Sequence, residues 1–185
     1  MENNKEKLKI NNLDMRISIA ILICYLTATI LNQIGFLFSY EGRQYEVIQN
    51  MTACIACLLC CQDNTKISFL SGVNRLIITM IGGGVGIIVI ILDNLIGNDW
   101  IMVMMVAIGI IVTLYLCKIA KVPYINARIG GVTFILVTTT FSGTGRIWYA
   151  LFRLVSTFFG VMVVLLVTYL FQKCSKMKLK KKVII

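Results

Sequence analysis

Two arginines in the apolar part of the sequence share one local pattern and suggest its chemistry. Arg75 and Arg153 each open the pattern R-L-x-x-T-x-x-G, with one copy in each half of the chain. Thr79 and Thr157 follow four residues later, which places them on the same helix face as the arginines. A guanidinium group can bind a carboxylate through two parallel hydrogen bonds. The pattern therefore predicts a path for organic anions, bound by the arginines and lined by the threonines.

A structural explanation of the two arginines competes with this one. The predicted spans place Arg75 and Arg153 near helix ends, where a long side chain can extend its charge to the membrane interface while its stem covers apolar surface. Ionisable residues inside a span are functional candidates by default. The sequence leaves anion binding and interfacial anchoring both open.

A few other polar residues are candidates for the same path. Asn50, Asn126 and Arg128 lie in two short apolar segments that are more polar than their neighbours. Asp93 is a weaker candidate for proton coupling, because a proton-coupled carrier needs a titratable group near its path. A solvated loop position beside Asn94 is the alternative interpretation of Asp93.

The glycines near the two arginines predict close helix packing. Gly82 and Gly86 are spaced four residues apart, which lets two membrane helices approach backbone to backbone. Gly83 and Gly160 complete the set of predicted packing glycines. The cluster lacks the Gly-Lys-Ser/Thr ending of a phosphate-binding loop, so nucleotide binding is not predicted.

Residue types that catalysis or metal binding would need are missing or badly placed. The sequence contains no histidine, and no catalytic motif or paired carboxylates are found on one helix face. Cys54, Cys57, Cys60 and Cys61 have a spacing close to that of an iron–sulfur ligand run, but they lie within an apolar segment. We therefore expect neither an enzyme nor a bound metal or cofactor.

The composition places these residues in a membrane. Hydrophobic residues make up 58% of the 185 residues, with a single proline, and the mean hydropathy is +0.87. A soluble domain of this size could not bury so much apolar surface. The net charge of +10 lies in the links between apolar runs, so a membrane explains it better than nucleic acid does.

Six apolar segments organise the chain into one membrane domain. Residues 1–15 are predicted to be a cytoplasmic lead, residues 16–172 the six-helix domain, and residues 173–185 a basic cytoplasmic tail. The predicted spans are Arg16–Phe38, Val47–Cys61, Val73–Leu92, Trp100–Cys117, Ile125–Phe141 and Ile147–Phe171.

The charge distribution predicts the orientation of the spans. Most lysines and arginines fall on one side of a six-span topology, which by the positive-inside rule is the cytoplasmic side and holds both termini. Because the arginine pattern recurs after three spans, the second half has the opposite polarity in the membrane. The predicted fold is all-α integral membrane, with six transmembrane helices as two inverted three-helix repeats.

The chain resembles a known family in its arginine motif. The pattern R-L-x-x-T-x-x-G opens a glycine-rich span, and a short span ending in Cys61-Gln62-Asp63 precedes it. This arrangement resembles the membrane domain of the aromatic acid exporter family, which is allied to the fusaric acid resistance proteins. The resemblance implies efflux of aromatic carboxylates driven by an ion gradient.

Two functions from different classes follow from these observations. The leading hypothesis is a multi-pass cell-membrane efflux transporter of small aromatic or amphipathic organic acids, in contact with membrane lipid. Since larger members of the family have a second six-helix half, a homodimer is expected. The alternative is a non-transporting membrane scaffold or regulatory protein that uses the same packing faces.

Overall fold

The structure is a computed structural model that describes residues 12–40, 42–140 and 143–183. The predicted lead lies mostly outside these residues, as do the side chains of the basic tail beyond Lys173. Within the described residues the chain forms six helices and one hairpin. In order, these are α1 (Asn12–Gln33), β1 (Leu37–Tyr40), β2 (Arg43–Glu46), α2 (Asn50–Cys60), α3 (Thr65–Ile96), α4 (Asp99–Ile119), α5 (Tyr124–Thr139) and α6 (Gly145–Val183).

Four of these helices are long and apolar enough to cross a membrane, namely α1, α3, α4 and α6. Helix α2 has 11 residues and α5 has 16, which correspond to about 16 Å and about 24 Å of helix. The hydrocarbon core of a bilayer is about 30 Å thick. The fold is thus helical with four candidate spans, and a crossing by α2 or α5 stays a prediction.

Helix α3 begins at Thr65, well before the predicted start of the third span at Val73. Its first turns contain polar and small residues that resemble a loop in sequence, but two of them, Ser68 and Gly72, face the protein interior. Ser68 is fully buried, and its hydroxyl contacts the backbone of Gln62. Arg75 is consequently not near a helix end, because about 15 Å of helix precedes it.

Helix α1 ends at Gln33, before the predicted end of the first span at Phe38. Gly35 has a φ of 104°, a conformation that interrupts the helix and favours glycine. The chain then forms an antiparallel hairpin in which Phe38 pairs with Tyr45. Phe38 packs on Trp148 with ring centroids 4.6 Å apart, so the hairpin covers the start of α6.

The two longest helices form the centre of the bundle. Helices α3 and α6 pack against each other, and each also packs on a short helix: α3 on α5, and α6 on α2. Helix α4 packs on α3 and α5, whereas α1 packs on α2 and α6. One apolar cluster joins α1, α2 and α6, and a second joins α3, α4 and α5. The arginine motifs lie on the two central helices.

Candidate functional site

Arg75 lies in the protein interior with unmade hydrogen bonds. Its residue exposure is 5%, and its buried Nε and Nη1 atoms have no hydrogen-bond partner in the described residues. A buried polar group without a partner costs about 1–3 kcal/mol, and more when it is charged. The guanidinium group does not extend to an interface, so its geometry differs from that of an anchoring arginine.

A small cavity of about 50 Å³ adjoins Arg75. The side chains of Ser71, Cys60 and Asn126 line it together with apolar residues of α2, α3 and α5. Since a single water molecule needs roughly 10–15 Å³ of accessible volume, the cavity has room for a few water-sized groups. That is enough for a carboxylate group beside the guanidinium, but not for a whole aromatic acid.

Arg153 is the second buried cation of the site. Its exposure is also 5%, and its Nη1 atom donates to the hydroxyl of Tyr149 over 3.2 Å. The helices that carry Arg75 and Arg153, α3 and α6, pack against each other. In the described part of the chain neither arginine is paired with a carboxylate, since the ion pair seen there joins Arg146 and Asp93. Among the described residues, therefore, no carboxylate forms an ion pair with either of these two positive charges.

The two motif threonines occupy corresponding positions. Thr79 Oγ1 donates to the Arg75 carbonyl oxygen over 2.9 Å, and Thr157 Oγ1 donates to the Arg153 carbonyl oxygen over 2.8 Å. Both residues are buried. Their hydroxyl protons are thus engaged by their own helices, while each oxygen retains lone pairs.

An outer pocket of about 200 Å³ lies between the hairpin and α6. Tyr149 lines it, together with Gln44, Tyr45, Glu46 and Gln49. Because the Tyr149 hydroxyl also accepts a hydrogen bond from Arg153, this tyrosine links the outer pocket to the buried arginines. Sequence analysis did not select Tyr149, although its position four residues before Arg153 was a usable signal.

Gln49 fixes the start of α2 to α6. Its backbone N–H donates to Ser156 Oγ over 2.7 Å, and its side-chain Nε2 donates to the carbonyl oxygen of Tyr149 over 3.2 Å. Thr52 donates to Gln49 Oε1 over 2.9 Å. These contacts hold the short helix against the part of α6 that carries Arg153.

Asp93 forms an ion pair instead of lying free in a solvated loop. Its Oδ2 atom accepts from Arg146 Nη2 over 2.7 Å, with side-chain exposures of 18% for Asp93 and 8% for Arg146. Arg146 also donates to the carbonyl oxygens of Thr138 and Gly143. The pair joins the end of α3 to the start of α6.

The remaining predicted path residues are divided between the site and the surface. Asn126 lines the cavity of Arg75. Asn50 is half-buried at the start of α2, and its Oδ1 atom has no hydrogen-bond partner in the described residues. Arg128 is exposed and lies over the ring of Tyr124 at 4.9 Å. The structure therefore places Asn126 in the cavity beside Arg75, whereas Arg128 lies outside this cavity.

Three of the four predicted packing glycines face another helix closely. A Cβ atom on Gly82 would lie 2.5 Å from the Gly130 carbonyl oxygen of α5, and one on Gly86 would lie 2.8 Å from Val137. A Cβ atom on Gly160 would meet the Ala53 carbonyl oxygen of α2. Gly83 differs, since nothing lies within 4 Å of an added Cβ, and helix approach does not require glycine there.

Six cysteines are described, on α1, on α4 and on or directly after α2, and five of them are buried. Cys57 belongs to the buried cluster of α1, α2 and α6 and donates to the Gly160 carbonyl oxygen over 3.3 Å. Within residues 12–40, 42–140 and 143–183, no group of three or more potential ligands could hold a metal ion. The cysteines pack as small apolar residues there.

Comparison with known proteins identifies the family. A family model described as fusaric acid resistance protein-like matches residues 34–167, which include both arginine motifs and the whole site. Neither the curated proteins nor the solved structures contain a match. The match confirms the resemblance drawn from the sequence and indicates a membrane transporter-like role. The chain belongs to the fusaric acid resistance protein-like family.

Proposed function

We propose that this protein is an efflux transporter of small aromatic or amphipathic organic acids in the cell membrane. The observation that carries the proposal is Arg75, which is buried beside a cavity and has two guanidinium nitrogens without a hydrogen-bond partner among the described residues. A carboxylate in the cavity would supply the missing acceptors and offset the charges of Arg75 and Arg153. Arginine suits this role because its planar fork matches a carboxylate.

The path of the anion follows from the order of the polar groups. Asn126 and Ser71 lie beside Arg75, Arg153 lies on α6, which packs against α3, and Tyr149 connects Arg153 to the outer pocket. The cavity holds only the carboxylate end of an aromatic acid, so passage of the ring requires the surrounding helices to move apart. We propose that the chain alternates between this closed arrangement and an arrangement that is open to one side of the membrane.

The helix contacts support two inverted three-helix repeats. When α1, α2 and α3 are exchanged for α4, α5 and α6, the packing of α3 on α5 corresponds to that of α6 on α2. Gly82 contacts α5 and Gly160 contacts α2 at corresponding motif positions. In this arrangement the two arginines lie near the interface of the repeats, where inverted-repeat transporters bind their substrates. A homodimer and cytoplasmic termini belong to the same proposal.

Binding of benzoate to the purified protein tests the site directly. We expect isothermal titration calorimetry to detect benzoate binding to the wild type, and Arg75→Gln to weaken it at least tenfold, since hydrogen bonds to charged groups are worth about 1.5–3 kcal/mol. Arg43→Gln, which removes an exposed arginine from β2, is the matched control. Benzamide, which has the ring but no charge, should bind none of the three proteins measurably.

Equal benzoate affinity in the wild type and a folded Arg75→Gln variant would contradict the proposed site. Equal binding of benzamide and benzoate would also contradict it, because the ring alone would then explain the affinity. Absence of benzoate binding together with absence of transport would favour the scaffold alternative.

A further inference from the structure

Two apolar grooves meet on the outer face of α6. One lies between α3 and α6, has a volume of about 430 Å³, and includes Lys66 and Phe69. The other lies between α1 and α6, has a volume of about 780 Å³, and includes Ile30. Leu165 and Tyr169 line both grooves. Together they form one continuous surface, called here the α6 groove.

One end of the α6 groove carries basic side chains. Lys66 lines it and is exposed, and Lys173 is exposed one turn beyond Tyr169. Neither lysine forms an ion pair within the residues that the structure describes. Asp63 is the acidic residue nearest to Lys66 in the sequence, and Arg16 Nη1 donates to its backbone carbonyl oxygen over 2.9 Å. With Arg16, Lys66 and Lys173, this end of the bundle carries more positive than negative side chains.

The basic end is also held in a fixed geometry. Thr65 Oγ1 donates to Gln172 Oε1 over 2.6 Å, and Gln172 Nε2 donates to Asn64 Oδ1 over 3.1 Å. These two hydrogen bonds join the start of α3 to α6. Lys66 is thus kept beside the groove and not on a loop that moves independently of it.

The length of the α6 groove corresponds to one leaflet. Its lining on α6 extends from Tyr169 to Phe159, ten residues or about 15 Å of helix. Half of a hydrocarbon core of about 30 Å is also about 15 Å. Tyr169, which is 58% exposed, stands at the interfacial end, where tyrosine is enriched. An acyl chain along the groove would place its phosphate at the height of Lys66.

We propose that the α6 groove binds one anionic phospholipid of the cytoplasmic leaflet. Its phosphate contacts Lys66, and one acyl chain lies between α1 and α6 against Ile30 and Met162. Charge complementarity selects an anionic headgroup over a zwitterionic one, because each lysine near a membrane surface contributes about 1 kcal/mol of attraction to acidic lipid. This inference rests on the proposed cytoplasmic orientation of the termini, but it does not require that the protein transports a substrate.

Native mass spectrometry with phosphatidylglycerol and phosphatidylcholine tests the lipid site. We expect the wild type to retain one phosphatidylglycerol molecule in preference to phosphatidylcholine. Lys66→Gln should reduce the preference about fivefold. Lys121→Gln, which removes an exposed lysine from the loop between α4 and α5, should leave it unchanged. Met162→Trp should fill the groove and reduce retention of both lipids.

Three outcomes would overturn the proposal. Equal retention of the two lipids by the wild type would remove the charge selection. Equal losses from Lys66→Gln and Lys121→Gln would indicate general surface charge in place of a site. A lipid-free dimer that Met162→Trp dissociates would indicate a second copy in the groove. If Met162→Trp fails to fold, Lys66→Gln beside Lys121→Gln still decides the question.

Discussion

At the scale of single residues, the molecule contrasts two kinds of buried arginine. Arg146 has its charge balanced by Asp93 and makes further hydrogen bonds to backbone carbonyl oxygens. Arg75 is equally buried, but two of its nitrogens lack an acceptor in the part of the chain that the structure describes. The first arrangement joins two helices, and the second leaves binding capacity unused. This difference is the reason to assign the anion to Arg75 and not to Arg146.

The ion pair between Asp93 and Arg146 should contribute to stability. Asp93→Asn leaves Arg146 without its carboxylate in a mostly buried position, so we expect a loss of about 1–3 kcal/mol and a lower melting temperature in detergent. A double-mutant cycle with Arg146→Gln should give a coupling energy of similar size.

The same variants distinguish the structural role of Asp93 from proton coupling. If Asp93→Asn leaves the melting temperature unchanged but abolishes the dependence of flux on a proton gradient, Asp93 is a coupling residue and the structural interpretation is wrong. A lowered melting temperature, with the dependence on the proton gradient retained, would indicate that the ion pair stabilises the contact between α3 and α6.

Sequence reasoning identified the two arginines but not their surroundings. The repeated motif was visible because residues four apart share a helix face. The cavity could not be predicted, since it joins Cys60, Ser71 and Asn126 from three helices whose packing the sequence does not state. The partner of Asp93 was missed for the same reason, as Arg146 is distant from it in the chain.

At the scale of helices and strands, the close contacts of α3 with α5 and of α6 with α2 depend on glycine. Gly82→Ala should destabilise the protein, because its new methyl group would meet the Gly130 backbone oxygen, which can move only with α5. We expect about 1–3 kcal/mol, as for overpacking in a core. Gly84→Ala is the matched control in the same helix, since nothing lies within 4 Å of its added Cβ.

The measurement is thermal unfolding of both variants in the same detergent. A lower melting temperature for Gly82→Ala alone supports the close contact of α3 with α5. Similar melting temperatures for the two alanine variants would show that α5 can yield, and that the helices do not depend on glycine for their approach.

Helix boundaries were predicted least well where polar residues face inward. Ser68 and Gly72 lie outside the predicted third span, whereas in the structure they belong to α3 and lie against Gln62 and Val161. The hairpin after α1 was assigned partly to a span, because its residues Leu37 and Phe38 are apolar. Both errors arise from tertiary contacts that outweigh local composition.

At the scale of the whole molecule, the topology depends on whether the chain crosses the membrane at α2. Its 11 residues are too few to cross a bilayer unaided, yet the proposed repeats require the chain to change sides between β2 and α3. We expect Arg43→Cys and Lys66→Cys to react with an impermeant maleimide from opposite sides of sealed membranes.

The background for this labelling is a Cys54→Ser, Cys174→Ser variant, because the other five cysteines, Cys24, Cys57, Cys60, Cys61 and Cys117, are buried. Labelling of both introduced cysteines from the same side would make α2 a re-entrant helix. The inverted repeat would then be wrong, although Arg75 would keep its cavity.

Efflux of labelled benzoate from proteoliposomes, measured with and without a proton gradient, tests the transport proposal most directly. Wild type, Arg75→Gln and the control Arg43→Gln would be compared at matched protein incorporation. We expect gradient-dependent efflux for the wild type and Arg43→Gln, and at least a tenfold lower rate for Arg75→Gln. A rate for Arg75→Gln equal to that of the wild type, or no efflux from folded wild type, would contradict the proposal.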